Sequence, residues 1–238
     1  MDQAIYHVSY ATLACLIALS FNAIDKRISL ISASYFSLFI GLDAVITNLP
    51  NIIPACVLWH GDWNWSGKLY SLIWSILALR VFGLSAVSAG LTFRQRNIRA
   101  SLITLAISVP WGLSLGWLFN PSRSLETLIF QATMPGIAEE IALRGIAPAL
   151  LLGLFRQHDP SDKMPWIAIL ISAIMFGCWH ALGYANGSFS FEIMAFAFTT
   201  IGSIPLGWLR FKSGSVLFPI LVHGTATVAF HLAPMLKS

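Results

Sequence analysis

Apolar residues run along most of this chain in blocks of about 20, each long enough to cross a bilayer core as a helix. Eight such blocks are visible, roughly 4–23, 28–49, 68–90, 99–119, 125–155, 165–184, 190–209 and 214–236. Polar and charged residues collect in the short gaps between them. The pattern predicts an all-α fold, a polytopic transmembrane helical bundle of about eight spans, with no gap long enough for a soluble domain. Two blocks are irregular. The run Asn48-Leu49-Pro50-Asn51 breaks the second, and residues 52–60 are expected to form an interfacial piece. The fifth is too long for one untilted span. Pro135 is expected to start its membrane part, because proline suits the first turn of a helix. Residues 125–134 then lie along the interface or against other helices.

Composition narrows this further. Of 238 residues, 57% are hydrophobic and 10% are charged, where a soluble domain carries roughly 25% charged residues. A disordered chain and a soluble globule are both excluded, and residues 1–238 are read as a single integral-membrane domain. The net charge of +4 does not point to nucleic acid, because the basic residues sit mostly in gaps, where they set orientation. Lys26, Arg27, Arg94, Arg96, Arg99, Arg156, Lys163, Arg210 and Lys212 fall on one side, and Lys68, Arg123 and Lys237 on the other. The positive-inside rule then puts both termini outside the cytoplasm. Asp2 replaces the positive start of a secretion signal, so the first block is read as a retained span. Cys15, Cys56 and Cys178 are far apart and lie in or beside apolar runs. They are read as packing residues, and no disulfide framework or cysteine metal site follows.

A charge at bilayer depth is costly and marks a functional candidate by default. Asp43, Arg80, Glu139, Glu140 and Arg144 qualify. Asp43 and Arg80 lie on neighbouring spans and are expected to pair. Glu126 and Glu192 sit near span ends and are expected to face headgroups or water. The run Pro135-Gly-Ile-Ala-Glu-Glu-Ile-Ala-Leu-Arg-Gly holds three charges in six residues of an otherwise apolar helix. Glu140 and Arg144 are i,i+4 in the favourable order for an ion pair. Glu139 is rotated about 100° from Glu140, so it can look into a cavity while Arg144 holds Glu140. By chance Glu-Glu-x-x-x-Arg arises about 0.0025 times in a chain of this composition. The competing reading is a buried charge cluster that only fixes helix packing.

His180 stands one turn after Phe176, and Thr227 one turn after His223, each pair on one helix face. Either pattern alone is common enough to mean little, and each histidine taken singly reads as a packing residue satisfied by a hydroxyl or carbonyl. His7, His60, His158 and His231 lie near segment ends and are assigned no chemistry.

Together the three elements carry more. They occupy three helices in the order Glu-Glu-x-x-x-Arg, Phe-x-x-x-His, His. This resembles the CPBP family, the CAAX proteases and bacteriocin-processing enzymes, also called Abi proteins, which are polytopic intramembrane endopeptidases. The resemblance covers roughly residues 135–230. It implies that Glu139 is the catalytic glutamate, that Arg144 is the motif arginine, and that His180 and His223 are the second and third motif residues. Two positions depart from the family pattern. Thr227 stands where the family usually has Asn or Asp, and Leu143 stands where a bulky aromatic is common.

Peptide hydrolysis needs a base for water and donors for the developing oxyanion. Glu139 suits the base, with Glu140 and Arg144 as its structural neighbours. His180 can share the water, and His223, with Thr227, can donate to the oxyanion. No Ser-His or Cys-His pattern competes. The expectation is a glutamate mechanism without a cofactor. Zinc held by Glu139, His180 and His223 stays open as the alternative, although His-Glu-x-x-His is missing. A non-catalytic immunity or scaffold module, or a transporter, is the reading from another class. The resemblance implies the bilayer as one partner. The other is a protein or peptide substrate with a cleavable tail or leader. The compact chain suggests a bacterial cytoplasmic membrane. With both termini outside, the site is expected in the outer half of the bilayer.

Overall fold

The computed structural model describes residues 2–26, 28–154 and 163–237; Arg27, Arg156 and His158 lie outside the described residues. The chain is helical nearly throughout. Its helices are α1 (Asp2–Ser20), α2 (Leu30–Thr47), the short α3 (Leu49–Ile52), α4 (Trp65–Val81), α5 (Ile98–Phe119), α6 (Leu125–Glu140), α7 (Ala147–Leu151), α8 (Trp166–Ala181), α9 (Ile193–Ser213) and α10 (Leu217–Leu232). Side chains mark several starts. Ser29, Asn64 and Ser124 accept from the backbone N–H groups of Ser32, Gly67 and Thr127, which satisfies donors that a helix start leaves open.

Four segments are long and apolar enough to cross a membrane: Leu30–Thr47, Ile98–Phe119, Ile193–Ser213 and Leu217–Leu236. Ile5–Ser20 and Trp166–Ala181 are shorter apolar helices. The all-α class holds, but length and composition do not carry a count of eight spans. The second of these spans, α5, has only 17% of its apolar window buried, against 50% for α2. It therefore turns most of its surface to the surroundings, while α2 belongs to the core.

Three local expectations need correction. Pro135 does not start the membrane helix, because α6 runs unbroken from Leu125 with Pro135 inside it. Glu139 therefore lies several turns from the helix start, and not one. Asp43 does not pair with Arg80. Its carboxylate accepts from Ser71 Oγ at 2.6 Å, and Arg80 is exposed in the last turn of α4, more than two turns further on. Glu126 does not simply face solvent. It accepts from the backbone N–H of Asp62 and from Trp65 Nε1 at 3.0 Å each, and so ties the loop before α4 to the start of α6.

One element was not expected. Leu182–Ala185 and Ser188–Phe191 form an antiparallel hairpin, β1 and β2, directly after α8. Asn186 and Gly187 make its two-residue turn at φ of 52° and 78°. Both values are left-handed, as this tight turn requires.

The bundle has two distinct ends. At one, Arg96 N–H donates to Ser213 O, Asn97 Nδ2 to Lys212 O and Arg210 Nη2 to Ser88 O, each at 2.8 Å. Arg94, Arg96, Arg210 and Lys212 collect there. The opposite end carries the hairpin, the start of α1 and the end of α10.

Gly112 and Gly116 bring α5 against α10 within the molecule. A Cβ at either would run into the carbonyl oxygens of Ala226 and Phe230, so the two backbones meet with no room for a side chain. Gly116→Val should lower the thermal midpoint of the purified protein in detergent, with a loss of about 1–3 kcal/mol. An unchanged midpoint would contradict this packing.

Candidate active site

The site begins with an irregularity in the helix that carries the acidic pair. After Glu140 the helix widens to a π turn over Ile141–Ile146 and resumes as α7. The N–H of Ala147 bonds back to Ala142 O, five residues earlier. Pro148 follows at once and cannot donate to the carbonyl one turn behind it. Such π turns are frequent at functional sites. Here the turn begins at the residue after Glu140 and contains Arg144.

Glu140 is fully buried and Arg144 is 2% exposed. Arg144 Nε stands 3.1 Å from Glu140 Oε2, so the i,i+4 pair expected from sequence is present. Arg144 also donates through Nη2 to Ser203 Oγ of α9 at 2.8 Å. Its guanidinium carbon lies 4.6 Å from the ring centroid of Phe176, and Nη1 has no hydrogen-bond acceptor among the described residues.

His223, on α10, joins the other oxygen. Its Nδ1 stands 2.7 Å from Glu140 Oε1, and its Nε2 stands 3.9 Å from Glu139 Oε2. A carboxylate only accepts, so Nδ1 of His223 is the protonated nitrogen. One imidazole thus spans both members of the acidic pair.

Phe176 and His180, one turn apart on α8, stack edge to face with centroids 4.4 Å apart. Phe176 also meets the ring of His223 at 6.2 Å. His180 Nδ1 lies 3.0 Å from Phe176 O, which makes Nδ1 the donor and leaves the lone pair on Nε2. His180 is exposed and is the open side of the cluster. The structure thus gathers Glu139, Glu140, Arg144, Phe176 and His223 in one network, with His180 on its rim. Thr227 is different. Its hydroxyl lies 3.0 Å from Gln131 O and 3.0 Å from His223 O, and no hydrogen bond joins it to either carboxylate.

Lys68 is the site residue that sequence reading missed, having placed it in a loop charge count. Asn64 caps α4, so Trp65 starts the helix and Lys68 lies in its first turns. Lys68 Nζ reaches Glu139 Oε1 at 2.5 Å. Side-chain exposures of 12% for Lys68 and 11% for Glu139 make this a partly buried ion pair. Asn64-Trp-Ser-Gly is the signal that moves the helix start back and brings Lys68 inside.

Beside this pair lies a cavity of about 20 Å³, lined in part by Tyr10, Asp43, Lys68, Ser71, Glu139 and Phe176. One water needs roughly 10–15 Å³ on this scale, so the cavity has room for a water next to Glu139. No group of three His, Cys, Asp or Glu residues among those described is arranged to hold a metal ion. Glu139 Oε1 is already engaged by the Lys68 ammonium, and Nδ1 of both histidines is committed to an acceptor.

A family model described as type II CAAX prenyl endopeptidase Rce1-like matches residues 126–229. The matched segment is a little under half of the chain and contains all three motifs. The match bears out the resemblance read from those motifs. No curated protein and no solved structure matches.

Removing one partner of the buried pair should be strongly destabilising. Glu140→Ala leaves Arg144 buried with no carboxylate, at about 3–5 kcal/mol. The expected result is a sharply lower yield of folded protein after detergent extraction. Wild-type yield and thermal midpoint would contradict the structural role of Glu140.

Proposed function

From its match, through residues 126–229, to the CAAX-type intramembrane endopeptidases, we infer that this protein hydrolyses a peptide bond in a membrane-associated or exported protein or peptide. The base for water is Glu139. The observation that supports this assignment is the unequal treatment of the acidic pair. Glu140 is fully buried, is held by Arg144 and His223, and does not line the cavity. Glu139 borders the cavity and keeps Oε2 clear of a direct hydrogen bond.

In the proposed reaction, a water beside Glu139 gives a proton to its carboxylate and attacks the scissile carbonyl. His180 accepts from that water through Nε2. His223 can stabilise the oxyanion only by donating from Nε2, because Nδ1 is given to Glu140. Its role as donor there requires both ring nitrogens to carry a proton. The proton on Glu139 passes to the leaving amine as the tetrahedral intermediate collapses. Lys68 holds Glu139 in place before substrate arrives.

The substrate is a protein or peptide with a cleavable tail or leader. His180 near the end of α8 and Lys68 near the start of α4 both sit toward the end of the bundle that carries the hairpin. With the basic end facing the cytoplasm, cleavage would occur toward the extracytoplasmic face.

Glu139→Gln should abolish cleavage of tagged candidate tails on co-expression, with normal expression of the enzyme. Activity within a few-fold of wild type for the purified variant would sink the assignment. Strong chelation should leave cleavage intact, because no metal is needed. One equivalent of zinc, lost together with activity in His180→Ala and His223→Ala, would instead favour a metal-dependent site built from Glu139, His180 and His223.

A further inference from the structure

Proline in a helix interior removes one N–H donor, and the carbonyl one turn behind it loses its partner. Pro135 lies inside α6, so the carbonyl left open is that of Gln131. Gln131 is buried, where an unpaired carbonyl is costly. The hydroxyl of Thr227 on α10 sits 3.0 Å from this oxygen. The same hydroxyl lies 3.0 Å from His223 O and 3.2 Å from Gly224 O. Those carbonyls belong to an uninterrupted stretch of α10 and have backbone donors of their own. The oxygen that lacks one is across the helix interface.

The interface is built to allow this reach. A Cβ on Gly136 would come 3.0 Å from Ile220 O, and one on Gly224 would come 3.0 Å from Ala132 O. Reciprocal glycines therefore let the backbones of α6 and α10 approach closely beside the Thr227 contact, on its side nearer the acidic pair. Glu139 follows Pro135 by one turn, and Gln131 by about two, on α6. Thr227 is preceded one turn earlier by His223 on α10.

We propose that Thr227 is a positioning residue, whose hydroxyl takes the carbonyl that Pro135 leaves without a donor and so fixes the register of His223 against Glu139 and Glu140. This rests on the protease reading above for its consequence in rate, but not for the contact itself. Thr227 thereby acts through a helix–helix bond rather than on the reacting carbonyl.

The test is a double-mutant cycle between positions 135 and 227, read in kinetics and in thermal unfolding. Thr227→Val keeps the shape and removes the hydroxyl. It should lower kcat by about tenfold or more, with KM changed by less than about twofold, since small misplacement of reacting groups costs rate. Thr227→Ser should restore most of kcat. In a Pro135→Ala background the new N–H can pair with Gln131 O, so Thr227→Val should change both kcat and the thermal midpoint far less there than in wild type. An undiminished effect in that background would overturn the proposal, as would full kcat in Thr227→Val. If Pro135→Ala does not fold, the contrast between Val and Ser at 227 still decides it. A coupling seen in unfolding while Glu139→Gln stays active would refute the base assignment and leave the positioning contact standing. Loss of activity in Glu139→Gln with no coupling would refute the contact alone.

Discussion

Glu140 has no exposed surface, and a carboxylate taken out of water is costly unless opposite charge and hydrogen-bond donors stand against it. Its two oxygens are divided between Arg144, one turn along its own chain, and His223 on α10. Arg144 in turn reaches Ser203 on α9 and lies over Phe176 on α8. One buried ion therefore draws three neighbouring helices toward the acidic pair. The helices differ widely in how apolar and how long they are, but this polar centre requires all of them at fixed distances.

The same requirement separates the roles of two adjacent, chemically identical side chains. Glu140 is used up in holding the bundle together. Glu139 faces outward from that knot, toward Lys68 and a cavity of water size. The π turn that follows begins at Ile141 and holds Arg144, and it offsets the rest of the helix at the point where the pair must serve two environments. A site that keeps one carboxylate structural and leaves its neighbour accessible can have a rigid frame and a mobile proton at once.

Much of the site was legible because its signals are short-range. Glu140 and Arg144 pair at i,i+4, and Phe176 and His180 stack at i,i+4, so helical spacing alone brought each pair together. The bond between His223 and Glu140 was not legible, since it depends on how α10 packs against α6. Lys68 was lost for a different reason. An apolar block reads as starting at its first charge, but the Asn64 cap starts α4 earlier and carries the lysine inside. The break placed at Pro135 followed the preference of proline for a first turn. The helix continues because the carbonyl that proline strands finds a hydroxyl on another helix, which no local pattern reveals. The Asn186-Gly187 hairpin was written plainly in a two-residue turn signal, masked by its position between two apolar runs.

The central claim is that Glu139, not Glu140 or a metal, faces the bond to be cut. An experimental structure of the Glu139→Gln protein with an uncleaved peptide substrate tests it most directly. The account predicts a water between the position 139 carboxamide and the scissile carbonyl, with reacting atoms about 3–3.5 Å apart. It also predicts the carbonyl oxygen turned toward His223 Nε2 and Glu140 still bound by Arg144. A scissile carbonyl seated away from position 139, or coordinated to a metal ion held by His180 and His223, would contradict it.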